Sequence, residues 1–362
     1  MDTTAADIVF DADGACSYCA TYDRCMAAVD RSPAARDARL ASLVERVKAG
    51  GTGRPYDCVV GVSGGIDSSY ALLKAVELGL LPLAVHLDNG WNSELSAHNI
   101  ASLVQTLGVD LHTHVIDWEE NRDLQRSFFA AHVVDIELLM DNAMLALNYR
   151  LAAKYGLRYI LTGSNTVSEG VPIPTGWNHY KYDARNIRCI QRRFGRVPIA
   201  THPLISTLDQ VWFEFGRRIR WVSFLDYLPY SRTDALAKLQ SSIGFKPYPY
   251  KHYESVFTRF YQAHILPRKF GFDKRRPHLS ALVVSGQMTR DEALTALEQS
   301  PYPDPAQEAQ DRAFVMKKLG FTEPQFTEYM QASAVPHGQY GSEKWLRNGL
   351  LQIARLCGLR SR

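Results

Sequence analysis

The sequence predicts an α/β protein built on a doubly wound parallel sheet. A short cysteine-containing segment precedes the sheet and a mainly helical region follows it. Three observations predict this. From Tyr56 to Thr162, apolar runs of strand length alternate with stretches of helical spacing, a pattern that makes parallel strands joined by crossover helices. The first run, Cys58 to Val62, passes through Ser63-Gly64-Gly65 directly into a helical pattern from Asp67 to Leu78. A later run, 158–162, ends in a second small-residue turn, Gly163-Ser164-Asn165. Polar turns at the C-terminal ends of parallel strands are where such sheets hold ligands.

Residues 1–52 form the leading segment. Ile8-Val9-Phe10-Asp11-Ala12-Asp13-Gly14 reads as a short strand and turn running into Cys16-Ser17-Tyr18-Cys19. A helix is expected over 34–49, with Leu40, Leu43, Val44 and Val47 on one face. Gly50-Gly51-Thr52-Gly53 reads as a linker. Residues 53–205 form the α/β domain. Its second strand, Leu80 to Leu87, ends at Asp88-Asn89-Gly90-Trp91-Asn92, so Asp88 is either a nucleotide-site residue or a cap for the helix starting near Ser93. A helix over Glu94–Leu107, a strand over Leu111–Ile116 and a long helical region over 124–155 follow. Residues 167–205 are polar and aromatic without a strong period, as suits either an acceptor-binding lid or an excursion packing the next domain. Residues 206–362 read as mainly helical and substrate-binding, and 279–359 as amphipathic helices.

Composition narrows the function. At 362 residues, 46% hydrophobic and 22% charged, the chain can bury a large core in two domains. A net charge of +3 is too small to argue for nucleic acid. Apolar runs stay far short of a membrane span and the N-terminus lacks a signal-peptide pattern, so a cytoplasmic protein with reduced thiols is expected. Of the six cysteines, Cys16 and Cys19 form the one pair at metal-ligand spacing. They are either zinc thiolates or free cysteines packing a small lobe.

The strand, glycine turn and helix start around Ser63 have the geometry that holds a phosphate, because glycines admit close backbone approach and the helix N-terminus faces the anion. A Walker loop is excluded, since no lysine follows the glycines. A nucleophile elbow fits Gly61-Val62-Ser63-Gly64-Gly65 literally, but the 60 residues before it hold no series of strands and no H-G-G-G. The remaining reading is S-G-G-x-D-S, Ser63 to Ser68, which resembles the pyrophosphate loop of the PP-loop, or N-type, ATPases. That resemblance implies ATP split between its α and β phosphates and an acceptor oxygen that becomes adenylated. Ser63, Ser68 and the backbone of Gly64 and Gly65 suit pyrophosphate oxygens, and Asp67 suits a magnesium ion.

Further along, Lys251, His252, Arg268, Lys269, Lys274, Arg275 and Arg276 alternate with aromatic residues. Such a cluster suits a diphosphate and a ring, or RNA, or simply a solvated helix face.

Several separated stretches together resemble the N-acetyl sugar amidotransferase family of the PP-loop ATPases. They are Ile8 to Asp11 with Cys16 and Cys19, Gly61 to Ser69, Gly163-Ser164-Asn165, Lys251-His252-Tyr253-Glu254-Ser255, and Arg268-Lys269-Phe270-Gly271-Phe272-Asp273-Lys274-Arg275-Arg276 through Arg290. The resemblance spans nearly the whole chain. It implies an adenine nucleotide alpha hydrolase-like fold and conversion of a sugar acetamido group to acetamidino, in lipopolysaccharide O-antigen or nonulosonic acid biosynthesis. It implies ammonia from a glutaminase partner with a cyclase-like companion. It assigns ATP and Mg2+ to Gly61, Ser63, Gly64, Gly65, Asp67, Ser68, Asp88, Gly163, Ser164 and Asn165, with Asp67, Ser63 and Lys251 at the chemistry. The nucleotide-sugar falls to the basic cluster. Relatives carry an additional C-x-x-C before the segment with which this sequence starts, and Cys16 and Cys19 stand where the second half of that zinc site would be. The same loop would serve a tRNA-thiolating enzyme with persulfide-carrying cysteines, a nucleotide sensor that releases no pyrophosphate, or asparagine or NAD synthesis.

Overall fold

Five parallel strands, β1 (Cys58–Gly61), β2 (Pro82–Asp88), β3 (Leu111–Val115), β4 (Tyr159–Thr162) and β5 (Arg220–Ser223), lie in the order β3-β2-β1-β4-β5. The computed structural model describes residues 1–248, 253–302 and 304–356. The order reverses between β1 and β4, which makes the crevice beyond their C-terminal ends the topological switch point.

Alternation along each strand assigns its side chains to opposite faces. Cys58 and Val60 pack in one cluster with Leu72 and Ala75 of α3 (Ile66–Glu77), Leu103 of α4 (Glu94–Leu107) and Leu239 of α10 (Arg232–Ile243). Val59, with Leu83 and Val85, packs against Ala143, Ala146 and Tyr149 of α6 (Leu138–Lys154). The register agrees: Val59 opposes Leu83 and Val60 opposes Ala84. Burial on both faces is why these strands read as unbroken apolar runs.

The helices start and stop where the local chemistry dictates. Ser93 Oγ accepts from the Ser96 amide at 3.1 Å and opens α4, and Gly108 at φ +61° closes it. Helix α5 (Trp118–Ala130) is opened by Asp117 and α7 (Thr166–Glu169) by Asn165.

A second lobe lies beside the sheet. Its core joins Phe128 and Phe129 of α5, Ile187 of α8 (Ala184–Phe194), Phe260 of α11 (Val256–Phe260), Val315 of α14 (Pro305–Leu319) and Phe326 of α15 (Glu323–Gln331). A small cluster binds the N-terminal segment to the body: Tyr18 and Tyr22 of α1 (Ser17–Ala27) meet Val171 and Ala281 of α12 (Arg275–Val284). Among the described residues the other α-helices are α2 (Pro33–Gly51), α9 (Thr207–Val211), α13 (Arg290–Glu298) and α16 (Lys344–Leu356), and shorter or wider helical turns cover Trp212–Gly216, Phe224–Tyr227, Tyr261–Phe270 and His337–Tyr340.

Four details differ from the sequence reading. The strand expected over 8–14 is a single antiparallel bridge, Phe10 to Cys16. Gly50 and Gly51 close α2 instead of linking segments. The helical region over 124–155 is two helices, separated by a turn in which His132 has φ +53°. The sheet also continues past residue 205, because β5 comes from a stretch read as helical and α10 covers the sheet after it.

Candidate functional site

A cavity of about 300 Å3 opens at the C-terminal ends of β1, β2 and β4. Gly61, Ser63, Gly65, Asp67 and Ser68 line it from the first turn, and Gly163 and Ser164 from the turn after β4. The structure therefore brings together the two turns that the sequence singles out.

The first turn is held open by its own side chains. Ser68 Oγ accepts from the Ser63 amide at 3.2 Å and lies 3.1 Å from Ser63 Oγ, while the Gly65 amide donates to Ser63 Oγ at 3.3 Å. Two glycines are required by contact. Gly64 has φ +78°, and a Cβ there would sit 2.5 Å from Ser96 Oγ. A Cβ on Gly163 would lie 2.6 Å from the backbone carbonyl carbon of Asp67. The first turn of α3 is thus pressed against the end of β4, and its N-terminal amides share one crevice with both turns.

Gly64 does not line the cavity itself: its carbonyl accepts from the Tyr248 hydroxyl at 2.8 Å. Asp67 Oδ1 accepts from the Tyr230 hydroxyl. Burial first, and the Asp67 charge second, push the Tyr230 phenol far above its usual range, so it remains a donor. Burial likewise raises Tyr248, to about 12.

Other candidates lie elsewhere. Asp88 Oδ1 accepts from the Gly90 amide at 2.8 Å and from Asn92 Nδ2 at 3.2 Å, and it is not among the lining residues. It braces the turn, while the helix cap is Ser93. Asn165 is buried, and its Oδ1 caps α7 by accepting from the Ser168 amide at 2.8 Å. Lys251 and His252 lie outside the described residues.

The remaining basic residues all have partners within the chain, and none lines the cavity. Arg268 pairs with Glu308 at 2.6 Å. Lys269 Nζ donates to the Tyr329 carbonyl, and to that of Ala332 at 2.6 Å. Lys274 pairs with Glu137 at 2.7 Å, Arg275 with Asp273 at 2.7 Å and Arg276 with Asp2 at 2.6 Å. Much of the stretch 167–205 packs in the second lobe, through Trp177, Ile187, Ile190 and Leu204, while Val171 meets the N-terminal segment. Trp177, His179 and Asp183 are buried, and Lys181 pairs with Asp135 and Asp141, each at 2.7 Å.

The zinc expectation meets an unsuitable donor set. Cys16 and Cys19 bring their sulfurs to 3.4 Å, but among the described residues no third His, Cys, Asp or Glu joins them. Two thiols do not make the four-ligand shell of a structural zinc site. Burial works against the charged form of Cys16, yet hydrogen bonds from the neighbouring amides and from Cys19 hold its thiol below the usual range.

Several lining residues were not foreseen. His86 Nδ1 lies 2.9 Å from the Val62 carbonyl, so it carries the proton, and Nε2 accepts from Asn92 Nδ2 at 2.9 Å. A histidine inside an apolar strand, two residues before its end, was the available signal. Thr162, Glu169, Trp221, Arg232, Glu254 and Ser255 also line the cavity. Glu254 and Ser255 arrive from the chain's last third. The Ser93 amide donates to the Glu254 carbonyl at 2.9 Å, and the Val256 amide to that of Trp91 at 3.0 Å. That pairing seats the start of α11 on the turn after β2.

A parallel sheet reversing at β1, with S-G-G-x-D-S leading into α3, is an α/β fold that sets a glycine turn and a helix N-terminus at its switch point. Residues 254–352, roughly a quarter of the chain, match the family model described as LPS biosynthesis protein WbpG-like, C-terminal domain. The chain therefore carries a WbpG-like C-terminal region after its α/β sheet. No curated protein matches the sequence significantly. Among solved structures, the chain is similar to the NMN synthetase of Francisella tularensis, at 18% identity and TM-score 0.28, covering 62% of this chain and 100% of that one. It is also similar to the NH3-dependent NAD synthetase of Campylobacter jejuni, at 16% identity and TM-score 0.28, covering 60% and 98% respectively. Among the described residues, no helix is long and apolar enough to cross a membrane.

Proposed function

We propose that the protein is an ATP-dependent amidotransferase that converts the acetamido group of a nucleotide-linked sugar to acetamidino, in the biosynthesis of a lipopolysaccharide or related surface glycan. One observation carries the reading: Glu254 and Ser255, the first residues of the WbpG-like region, line the same cavity as the S-G-G-x-D-S loop. The S-G-G-x-D-S loop and the WbpG-like region therefore meet at one place, which supports the reading.

The chemistry follows from the leaving groups. An amide oxygen is not expelled by ammonia. Attack of that oxygen on the α-phosphate of ATP forms an O–P bond and releases pyrophosphate. Ammonia then adds to the imidate carbon, and AMP leaves with the oxygen, giving the amidine. The protein's part is to position the groups and stabilise charge. Ser63, Gly65 and Ser68, which line the cavity, hold the departing pyrophosphate in this reading. The Tyr230 hydroxyl orients Asp67.

Among the described lining residues the carboxylates of Asp67, Glu169 and Glu254 face one cation, Arg232. Asp67, a hard oxygen donor in the loop, fits magnesium and would hold it together with the phosphates. When bound, the ion supplies the positive charge that lets a polyphosphate enter an acidic cavity. Lys251 is proposed to act at the phosphates, and ammonia is proposed to come from a separate glutaminase with a cyclase-like companion in the cytoplasm. The thiolating alternative draws no support, since no cysteine is among the described residues that line the cavity.

The test is to incubate the protein with ATP, ammonium and a UDP-diacetamido sugar. AMP and a product in which oxygen has become imino nitrogen are expected. Absence of both overturns the reading.

A further inference from the structure

A second, smaller chamber shares a wall with the nucleotide cavity. Met140 and Ser255 line both. The chamber offers about 20 Å3, enough for one molecule the size of water. Its other walls are Asn89, Asn121, Gln125, Glu137, His202 and Thr258 together with the apolar Ile116, Ile136, Leu139 and Phe257.

His202 is the decisive residue. It is 4% exposed, and neither Nδ1 nor Nε2 makes a well-formed hydrogen bond, the Leu139 backbone being the one weak partner of the ring. Its backbone is fixed, because the His202 amide donates to Glu120 Oε1 at 2.9 Å. A buried neutral imidazole presents one donor and one acceptor, and here one is weakly met and the other unmet, which costs free energy. The neighbouring polar groups are committed elsewhere. Gln125 Oε1 accepts from the Trp91 indole at 2.9 Å, and Asn121 Nδ2 donates to the Asn89 carbonyl at 2.8 Å. The one charged wall residue, Glu137, is neutralised by Lys274 at 2.7 Å and bonded by Gln262 at 3.0 Å. The chamber thus has no unbalanced charge to attract a cation, and it suits a small neutral molecule that both donates and accepts.

We propose that this chamber holds ammonia against the reaction cavity, with His202 as its hydrogen-bond partner and the Met140 side chain as the gate between the two spaces. The proposal rests on the amidotransfer reading for its consequence, but not for the site itself. Burial lowers His202 to about 4, so the imidazole stays neutral and does not repel or protonate its guest at working pH. Met140 is unbranched and adaptable, and its Sδ accepts from Asn89 Nδ2 at 2.7 Å, the bond that opening of the gate would break. Ammonia held here is kept from competing water until the imidate carbon is within reach, and its proton count is unchanged by the transfer through the wall.

Two readouts test this on the full chain. In protein carrying 15N-labelled histidine, ammonium chloride should shift the His202 ring signals saturably, while sodium chloride and the larger methylammonium should not. The His202 signals are assigned by their loss in His202→Leu. No response to ammonium, or an equal response to sodium, means the chamber takes water only and overturns the proposal. In turnover, His202→Leu and the near-isosteric Thr258→Val should raise the KM for ammonium about tenfold with the KM for ATP unchanged, the size expected when one buried hydrogen bond is lost. Unchanged ammonium KM in Thr258→Val and His202→Leu overturns the proposal even if AMP formation is ammonium-dependent. A His202 response without any ammonium-dependent AMP sinks the amidotransfer reading and leaves the ammonia site standing.

Discussion

Asp67 carries two tasks that a single substitution can separate. It sits in the first turn of α3 and lines the cavity, while its Oδ1 accepts a hydrogen bond from the Tyr230 hydroxyl. Asp67→Ala should leave the fold intact, because the carboxylate faces the cavity and no packed cluster depends on it. Turnover should fall by about 10^2 to 10^3, the scale seen when a group that organises transition-state charge is removed. Tyr230→Phe keeps the packing and removes only the donor, so a loss of about tenfold is expected. AMP release together with thermal melting measures both. Full activity in Asp67→Ala would remove that residue from the mechanism. The ordering of the two variants matters as much as their size: if Tyr230→Phe were the more damaging, the tyrosine would be the acting group and Asp67 its support.

At the scale of elements, the site depends on backbone contact between α3 and the end of β4. Gly163→Ala would place a methyl 2.6 Å from the Asp67 backbone. Neither backbone segment can rotate away, so α3 must shift, at a cost of about 1–3 kcal/mol. Nucleotide affinity should fall along with the melting temperature, whereas Gly176→Ala, where a Cβ meets no atom within 4 Å, bears only its φ of +88° and should leave affinity alone. Isothermal titration with a non-hydrolysable ATP analogue distinguishes them. Much of this geometry was legible. Cys58 to Val62 is apolar on both faces because both faces are covered, and Ser93 and Gly108 bracket α4 by ordinary capping chemistry. β5 was not legible, since four residues beginning with an exposed arginine carry too little periodicity to outweigh the helical stretches around them. The cations from Arg268 to Arg276 illustrate a different limit. Sequence shows that charges cluster but not where their counter-charges are. Glu137 and Glu308 come from distant elements. Lys274→Met should therefore destabilise the protein by about 3–5 kcal/mol by stranding buried Glu137. Arg268→Ala, at an exposed side chain, should cost less than about 1 kcal/mol. Equal effects in urea denaturation would contradict that assignment.

The whole molecule is tied together by a buried polar hub that acid should open. His337 Nε2 lies 3.2 Å from the Asp135 amide and accepts its proton, and Nδ1 lies 2.8 Å from Asn186 Oδ1 and donates to it. Asp135 Oδ2 in turn accepts from the His179 amide at 2.6 Å and from Lys181 at 2.7 Å. These bonds join the turn before α6, the start of α8 and the chain beyond α15. Protonating Nε2 would set two N–H groups against each other in a place without water. Burial, reinforced by neighbouring His179, accordingly lowers His337 to about 3. Burial opposes the charge on Asp135, but Lys181 outweighs it and holds that carboxyl down to about 2, so Asp135 stays ionised while His337 titrates. The folded-state value of His337 lies below its unfolded value of 6.5, so the unfolded chain binds the extra proton. Stability is therefore complete above pH 6.5 and declines as the pH falls from there toward about 3, by a few kcal/mol in total. His202, lowered to about 4 by burial, adds a decline over part of the same interval. His337→Gln offers an amide oxygen to the Asp135 amide and an amide N–H to Asn186, and it does not titrate. Urea midpoints measured across the interval should fall steeply in the wild type and more shallowly in His337→Gln. Identical slopes would mean that the hub tolerates a charged His337 and that acid acts elsewhere.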